Sequence, residues 1–313
     1  MSRTVQTWAR LTGSALVFAV LIWRLGTGPF LDGLRTINGT ALAAAASITV
    51  LTTVGCAWRW KVVARGLDVD LPLASAVAAY YRSLFLNLTL PGGIGGDVHR
   101  GVSHGRDVSD VSRALRSVAW ERFAGQAVQV LLAAIVLLAL PSPVHSVMPL
   151  VAVALAIAVF AVVLMARASP GRGPSRWARV RSVAAADIRQ GLLARRAWLS
   201  VSLLSALVVA GHAATFLIAA RVAGTTAPAS QLLPIALLVM VVTAVPSVGG
   251  WGPREGAAAW VFGAAGLGAQ HGVATGVVYG VMMLVASLPG AGVLVVAWLR
   301  RSRPVERTRA PHA

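Results

Sequence analysis

The sequence predicts an all-α fold: a polytopic bundle of about six to eight membrane helices, two re-entrant or broken helical hairpins among them. Three observations predict it. The 313 residues are 57% hydrophobic and only 12% charged. A soluble domain carries roughly 25% charged residues, so most of this surface has to face lipid. Apolar runs recur along the chain, near 11–23, 41–58, 124–140, 147–165, 199–220, 232–245 and 273–299. Arginine collects between the runs, where it reports orientation rather than a polyanionic partner.

The first run, 11–23, reads as a retained helix. Its flank WRLGTGPF offers no small-x-small cleavage site, and further apolar runs follow. The second run ends at Arg59, Lys61 and Arg65. Beyond it, Arg100, Arg106, Arg113 and Arg116 form another basic group. Arg3, Arg10, the eight arginines of 167–196 and the five of the tail complete 22 of the 28 positive charges, all assigned to the cytoplasmic side. Arg24 and Arg35 fall outside, and Arg82, Arg122, Arg221 and Arg254 lie within or at the edge of membrane segments.

This placement constrains the segment LASAVAAYYRSLFLNLTLPGGIGGD. Both flanks are inside, so it dips in and returns, with its turn near 91–96. The same reasoning from the outside applies to 232–268, where the turn falls at 246–252. The chain then has six crossings, two hairpins of opposite direction and cytoplasmic termini; eight full crossings leave the termini inside as well. The domain reading is one integral membrane unit, 1–313. Its halves, 1–166 and 198–300, are joined by an Arg-rich cytoplasmic linker, 167–197, and followed by a disordered tail, 301–313. The two turns, LPGGIGGDVHR and VPSVGGWGPRE, each run from an apolar residue through proline and glycines to charge. Paired Pro/Gly-broken segments in two halves point to an inverted repeat with a central site.

Candidate site residues follow from the turns. Irregular backbone inside a bilayer has to line protein or a wet cavity. Pro253 marks a helix start near Gly252, and the free N–H groups there carry partial positive charge. With Gly249, Gly250 and Arg254, that end suits a phosphate. Glu255 either holds Arg254 or meets a cationic group or a proton. A charge at mid-bilayer costs roughly 2.5–3.5 kcal/mol and usually faces a pathway. In the first half, Asp97 is placed to cap a helix, with Arg100 three residues on along the same face. Glu121 and Arg122 form a second acid–base pair at the entrance to an apolar helix, read either as an anchor for the turn or as a ligand contact.

Other signals carry less. Asp97, His99, His104 and Asp107 match no tight metal spacing, and Asp68 and Asp70 lack the soluble domain that a sugar-nucleotide metal motif needs. PGGIGGD lacks the Lys-Ser/Thr of a phosphate loop, and no nucleophile elbow is present. Cys56 is the single cysteine, so no intrachain disulfide forms. No cofactor and no nucleic-acid partner are expected. The 167–196 arginines suit anionic inner-leaflet lipids as well as a topology anchor.

Taken in order, LPGGIGGDVHR, SRALRSVAWERFAG and VPSVGGWGPREGAAAW resemble the lysylphosphatidylglycerol synthase transmembrane-region family, over roughly residues 10–300. The resemblance carries onto Pro91, Gly96, Asp97 and Arg100; onto Glu121 and Arg122; and onto Pro246, Gly249, Gly250, Gly252 and Glu255. It implies a flippase-like protein of the cell membrane that moves a polar-headed lipid between leaflets, either an aminoacyl-phospholipid or a polyprenyl-linked sugar. No synthase domain is expected, because the chain ends about 14 residues after the last apolar run. The chain is therefore read as a transporter and not an enzyme. A membrane enzyme and an accessory subunit of a separately encoded synthase or glycosyltransferase stay open as alternatives.

Overall fold

The computed structural model describes residues 19–90, 93–151, 176–192, 197–243 and 251–302, besides residues 12, 153, 154, 157, 160, 164 and 194. Among these the regular structure is helical, without a strand. The helices are α1 (Gly28–Arg35), α2 (Gly39–Gly66), α3 (Leu73–Thr89), α4 (Gly95–Asp107), α5 (Val111–Ala139), α6 (Arg176–Asp187), α7 (Ala197–Val222), α8 (Ala229–Val242), α9 (Pro253–Ala264), α10 (Ala269–Ala286) and α11 (Leu288–Ser302). A π-helical turn, Ile188–Leu192, follows α6.

Among the described residues, four stretches are long and apolar enough to cross a bilayer: Gly39–Gly66, Val111–Ala139, Ala197–Val222 and Ala269–Leu299. Two of them start on side-chain caps. Asn38 accepts the Ala41 N–H at 2.8 Å, and Asp110 accepts the Arg113 N–H at 2.9 Å. The 28 residues of α2 span about 42 Å, more than the roughly 30 Å of hydrocarbon. The fourth stretch is broken at Ser287 into α10 and α11. Of the six expected crossings, the runs at 11–23 and 147–165 lie partly outside the described residues.

Between the long helices sit two pairs of short ones. The pair α3 and α4 has 17 and 13 residues, and the pair α8 and α9 has 14 and 12. At roughly 18–26 Å each, these fold back on their neighbours as the two broken hairpins. The first turn passes through Gly93 at φ +64°; Pro91 and Gly92 lie outside the described residues. The second ends at Gly252, φ +92°, a left-handed conformation that glycine adopts without strain; Pro246, Gly249 and Gly250 lie outside the described residues. The order long, short, short, long runs through α2–α5 and again through α7–α10. In each hairpin the third residue of the returning helix is a carboxylate, Asp97 in α4 and Glu255 in α9.

Glycine lets the helices approach closely. A Cβ on Gly96 would collide with the Ser83 carbonyl of α3. The long helices α2 and α7 run antiparallel, with Gly55 against Val208 and Gly211 against Thr52. The last helix, α11, returns to the first half, where Gly290 packs on the Tyr81 backbone of α3.

Candidate functional site

The first acid–base centre forms where α2, α3, α4 and α5 meet. Glu121 of α5 is fully buried. Its Oε1 accepts Arg59 Nε at 2.8 Å and the Tyr80 hydroxyl at 2.7 Å, and its Oε2 accepts Arg100 Nη2 at 2.7 Å. Asp97 Oδ1 accepts Arg100 Nε at 3.0 Å and the Ser83 hydroxyl at 3.1 Å. Its Oδ2 accepts Asn87 Nδ2 at 3.0 Å and Arg122 Nη2 at 2.7 Å. The Arg100 guanidinium lies over two rings, Trp60 at 4.5 Å and Tyr80 at 4.2 Å. Arg59 Nη1 reaches across to the Ser205 hydroxyl of α7 at 2.9 Å.

Local sequence explains the convergence. Tyr80, Ser83 and Asn87 sit at i, i+3 and i+7 on α3 and so form a polar stripe along one face of it. Asn87 also takes the Gly96 N–H at 2.8 Å, so it satisfies the start of α4 and latches the hairpin. Gly125, one turn after Glu121, leaves the space that the Arg59 guanidinium fills.

The second centre is the N-terminus of α9. Glu255 Oε2 accepts the Gly252 N–H at 2.7 Å, and its Oε1 accepts Arg254 Nε at 3.0 Å and Nη2 at 2.6 Å. The Arg254 guanidinium stacks over Trp251 at 4.7 Å and stands 5.8 Å from the Tyr279 ring centroid. The Tyr279 hydroxyl is 3.2 Å from His212 Nδ1 of α7. Gly280 of α10 leaves room for the Arg254 guanidinium.

The structure brings Asp97, Arg100, Glu121 and Arg122 into one network, and Gly252, Arg254 and Glu255 into another. Among the described residues, no hydrogen bond or ion pair links the two networks directly. Helix α7 stands between them, holding Arg59 through Ser205 and Tyr279 through His212. Two details differ from the sequence reading. Asp97 does not cap α4, since Ile94 is the capping position and the Asp97 oxygens go to side chains. Glu121 and Arg122 both reach α4 of the first hairpin, Glu121 through Arg100 and Arg122 through Asp97, as the anchor reading expects. Arg59 and Arg100, grouped above with cytoplasmic loop charges, are buried inside helices. A run of basic residues after an apolar stretch does not show which of its members turns inward.

The charges of the first centre do not cancel. Arg59, Arg100 and Arg122 face Asp97 and Glu121. Arg100 Nη1, fully buried, has no hydrogen-bond partner. Of the three guanidinium groups, Arg122 is the exposed one, its side chain 46% exposed. In the second centre Arg254 and Glu255 balance, both buried. Among the described residues, no three His, Cys, Asp or Glu side chains are grouped to hold a metal.

A family model described as lysylphosphatidylglycerol synthase TM region matches residues 7–290, which takes in both centres and every long helix. No curated protein matches the chain.

Proposed function

This chain belongs to the lysylphosphatidylglycerol synthase transmembrane-region family, and on that premise we propose that it moves a polar-headed lipid between leaflets. Membership makes it a multi-pass membrane protein of the flippase-like domain type. The surplus cation of the first centre carries the reading further. A headgroup phosphate meets the exposed Arg122, backed by the unpartnered Arg100 Nη1 and the start of α4. As the phosphate draws Arg122 away, Asp97 Oδ2 is left for a cationic or hydroxylated part of the headgroup, such as an aminoacyl amine or a sugar. The acyl or polyprenyl tails stay in lipid. Arg254 and Glu255 neutralise each other and hold the second turn, so in this reading they shape the path at its far hairpin.

The reading includes the plasma membrane and cytoplasmic termini, on the arginine distribution. The basic linker then lies on anionic inner-leaflet lipids. Asp187 at the end of α6 ties it to the bundle through Arg116 at 2.9 Å and Trp120 at 2.9 Å. A separately encoded synthase or glycosyltransferase supplies the lipid.

The test is lipid translocation by the purified chain in vesicles, parent against Arg122→Gln. Loss of one charge-assisted contact lowers the rate for an anionic-headed lipid roughly tenfold. An Arg122→Gln variant that moves every lipid as the parent does removes the site. Lipid analysis of a deletion strain separates transport from synthesis. Transport leaves a normal amount of lipid on the wrong leaflet, whereas a missing lipid species means an enzyme.

A further inference from the structure

A cavity of about 460 Å³ lies apart from both centres, between the start of α2 and the end of α7. Its lining comes from these two helices and the α2 cap, Asn38, alone. The helices run antiparallel, so the first turn of α2 meets the last turn of α7. Asn38, Thr40 and Arg221 line the cavity at that end, all three exposed. One turn deeper on each helix the lining is apolar. Ala44 follows Thr40 by four residues, and Leu217 and Ile218 precede Arg221 by four and three. Among the described residues no carboxylate pairs with Arg221, whose Nη1 donates to the Thr225 carbonyl at 2.8 Å. Asn38 Oδ1 accepts the Thr40 hydroxyl and the Ala41 N–H, both at 2.8 Å, which leaves the Asn38 amide NH2 for a ligand. The Arg59–Ser205 bond joins the same two helices, but Ser205 is 16 residues from Arg221, about 24 Å along α7.

We propose that this cavity holds one phospholipid with an anionic headgroup, as a fixed part of the bundle and not as cargo. The phosphate meets Arg221 through Nε and Nη2, the nitrogens that Thr225 does not take. The Asn38 NH2 donates to a phosphate or headgroup oxygen. An acyl chain lies over Ala44, Leu217 and Ile218, with the small alanine leaving the space. Charge selects the headgroup. The lining has one cation and no carboxylate, so a choline or ethanolamine cation finds no partner there. The order of the groups selects a lipid over a free anion. Polar side chains stand at the ends of two membrane-crossing helices, and apolar ones begin one turn further in, as headgroup and chains do in a phospholipid. The volume is within the range of ligand pockets. Neither broken hairpin contributes to the lining, so the bound lipid joins α2 to α7 outside both centres. The inference needs the membrane class of the chain and is independent of the transport reading.

The experiment is native mass spectrometry of the purified full chain in detergent, titrated with phosphatidylglycerol, with phosphatidylcholine and with inorganic phosphate. The parent binds a first phosphatidylglycerol roughly tenfold more tightly than phosphatidylcholine, and Arg221→Gln abolishes that preference. Ala44→Leu leaves every polar group in place but fills the space for the chain, and it weakens binding of both lipids roughly tenfold. Ala44→Leu also carries the test alone if Arg221→Gln does not fold. A parent that binds the two lipids equally has only an unselective lipid coat, which overturns the site. So does either variant binding as the parent does. Inorganic phosphate that displaces phosphatidylglycerol at millimolar concentration makes the ligand a free anion and overturns the lipid assignment. A parent that retains phosphatidylglycerol through Arg221 yet moves no lipid in vesicles supports this site and removes the transport reading instead.

Discussion

Arg59 and Glu121, 62 positions apart in the chain, form a buried ion pair that ties crossing helix α2 to crossing helix α5. The same carboxylate holds Arg100 of the first hairpin and the Tyr80 hydroxyl, so one side chain joins three helices to its own. Glu121→Gln leaves two buried guanidinium groups short of charge. Breaking a buried pair from one side costs about 3–5 kcal/mol, and unfolding of the purified protein should show a loss of that size. Arg59→Gln in the Glu121→Gln background should cost less than the same change in the parent, because the orphaned cation is then gone.

Two glycines make room for the buried guanidinium groups. A Cβ at Gly125 would stand 2.7 Å from Arg59 Nη1, and one at Gly280 would overlap Arg254. Gly125→Ala and Gly280→Ala should each destabilise by about 1–3 kcal/mol, the usual penalty of overpacking. Gly292→Ala of α11 is the control. Nothing lies within 4 Å of its Cβ position, and alanine favours the helix by up to about 1 kcal/mol. Thermal unfolding of the three variants separates the steric claim from a general effect of alanine.

How much of this was legible in the sequence depends on what each residue touches. The four long spans were legible because a long apolar run states its own environment. The hairpins were legible because proline and glycine interrupt the runs between flanks that the charge pattern assigns to one side, the inside for the first and the outside for the second. Pro253 marked the start of α9 near Gly252 through a local rule, and the helix starts there; Glu255, read as a holder of Arg254, does hold it and also takes the Gly252 N–H, which the reading had not assigned. Asp97, Arg100, Glu121 and Arg122 stood out as charges beside apolar sequence, but their partners did not, since pairing across helices depends on rotation and depth. Arg59 was hidden among loop arginines. Tyr80, Ser83 and Asn87 were visible as a stripe at helical spacing, a signal that was available and unread. His212 and Tyr279, 67 positions apart, share no local pattern at all.

Asn87 fastens the first hairpin with both ends of its amide, accepting from the Gly96 N–H and donating to Asp97. Asn87→Ala removes both bonds and leaves a helix-start N–H unsatisfied, a loss of about 1–3 kcal/mol. The unfolding temperature should fall by several degrees. A cysteine at the exposed position Ile94, in a Cys56→Ser background, should react faster with a polar thiol reagent once Asn87 is alanine. An equal rate in both backgrounds would show that the turn is held elsewhere.

The repeated order of α2–α5 and α7–α10 makes a geometric prediction about sidedness. The loop position Asp70 and Asp107 at the end of α4 flank the first hairpin, and the loop position Thr226 and Gln270 in the first turn of α10 flank the second; all four are exposed. The charge pattern puts the first two inside and the second two outside. In the Cys56→Ser background, single cysteines at 70 and 107 should react with a membrane-impermeant thiol reagent only after the vesicle interior is opened. Cysteines at 226 and 270 should react in intact right-side-out vesicles. The turn position 94 then decides between a dip and a crossing, because helices of 17 and 13 residues that turn back within the bilayer expose it to no reagent on the outer side. Labelling of residue 94 from outside would make α3 and α4 two full crossings, and the first centre would no longer sit beside a turn buried in the membrane.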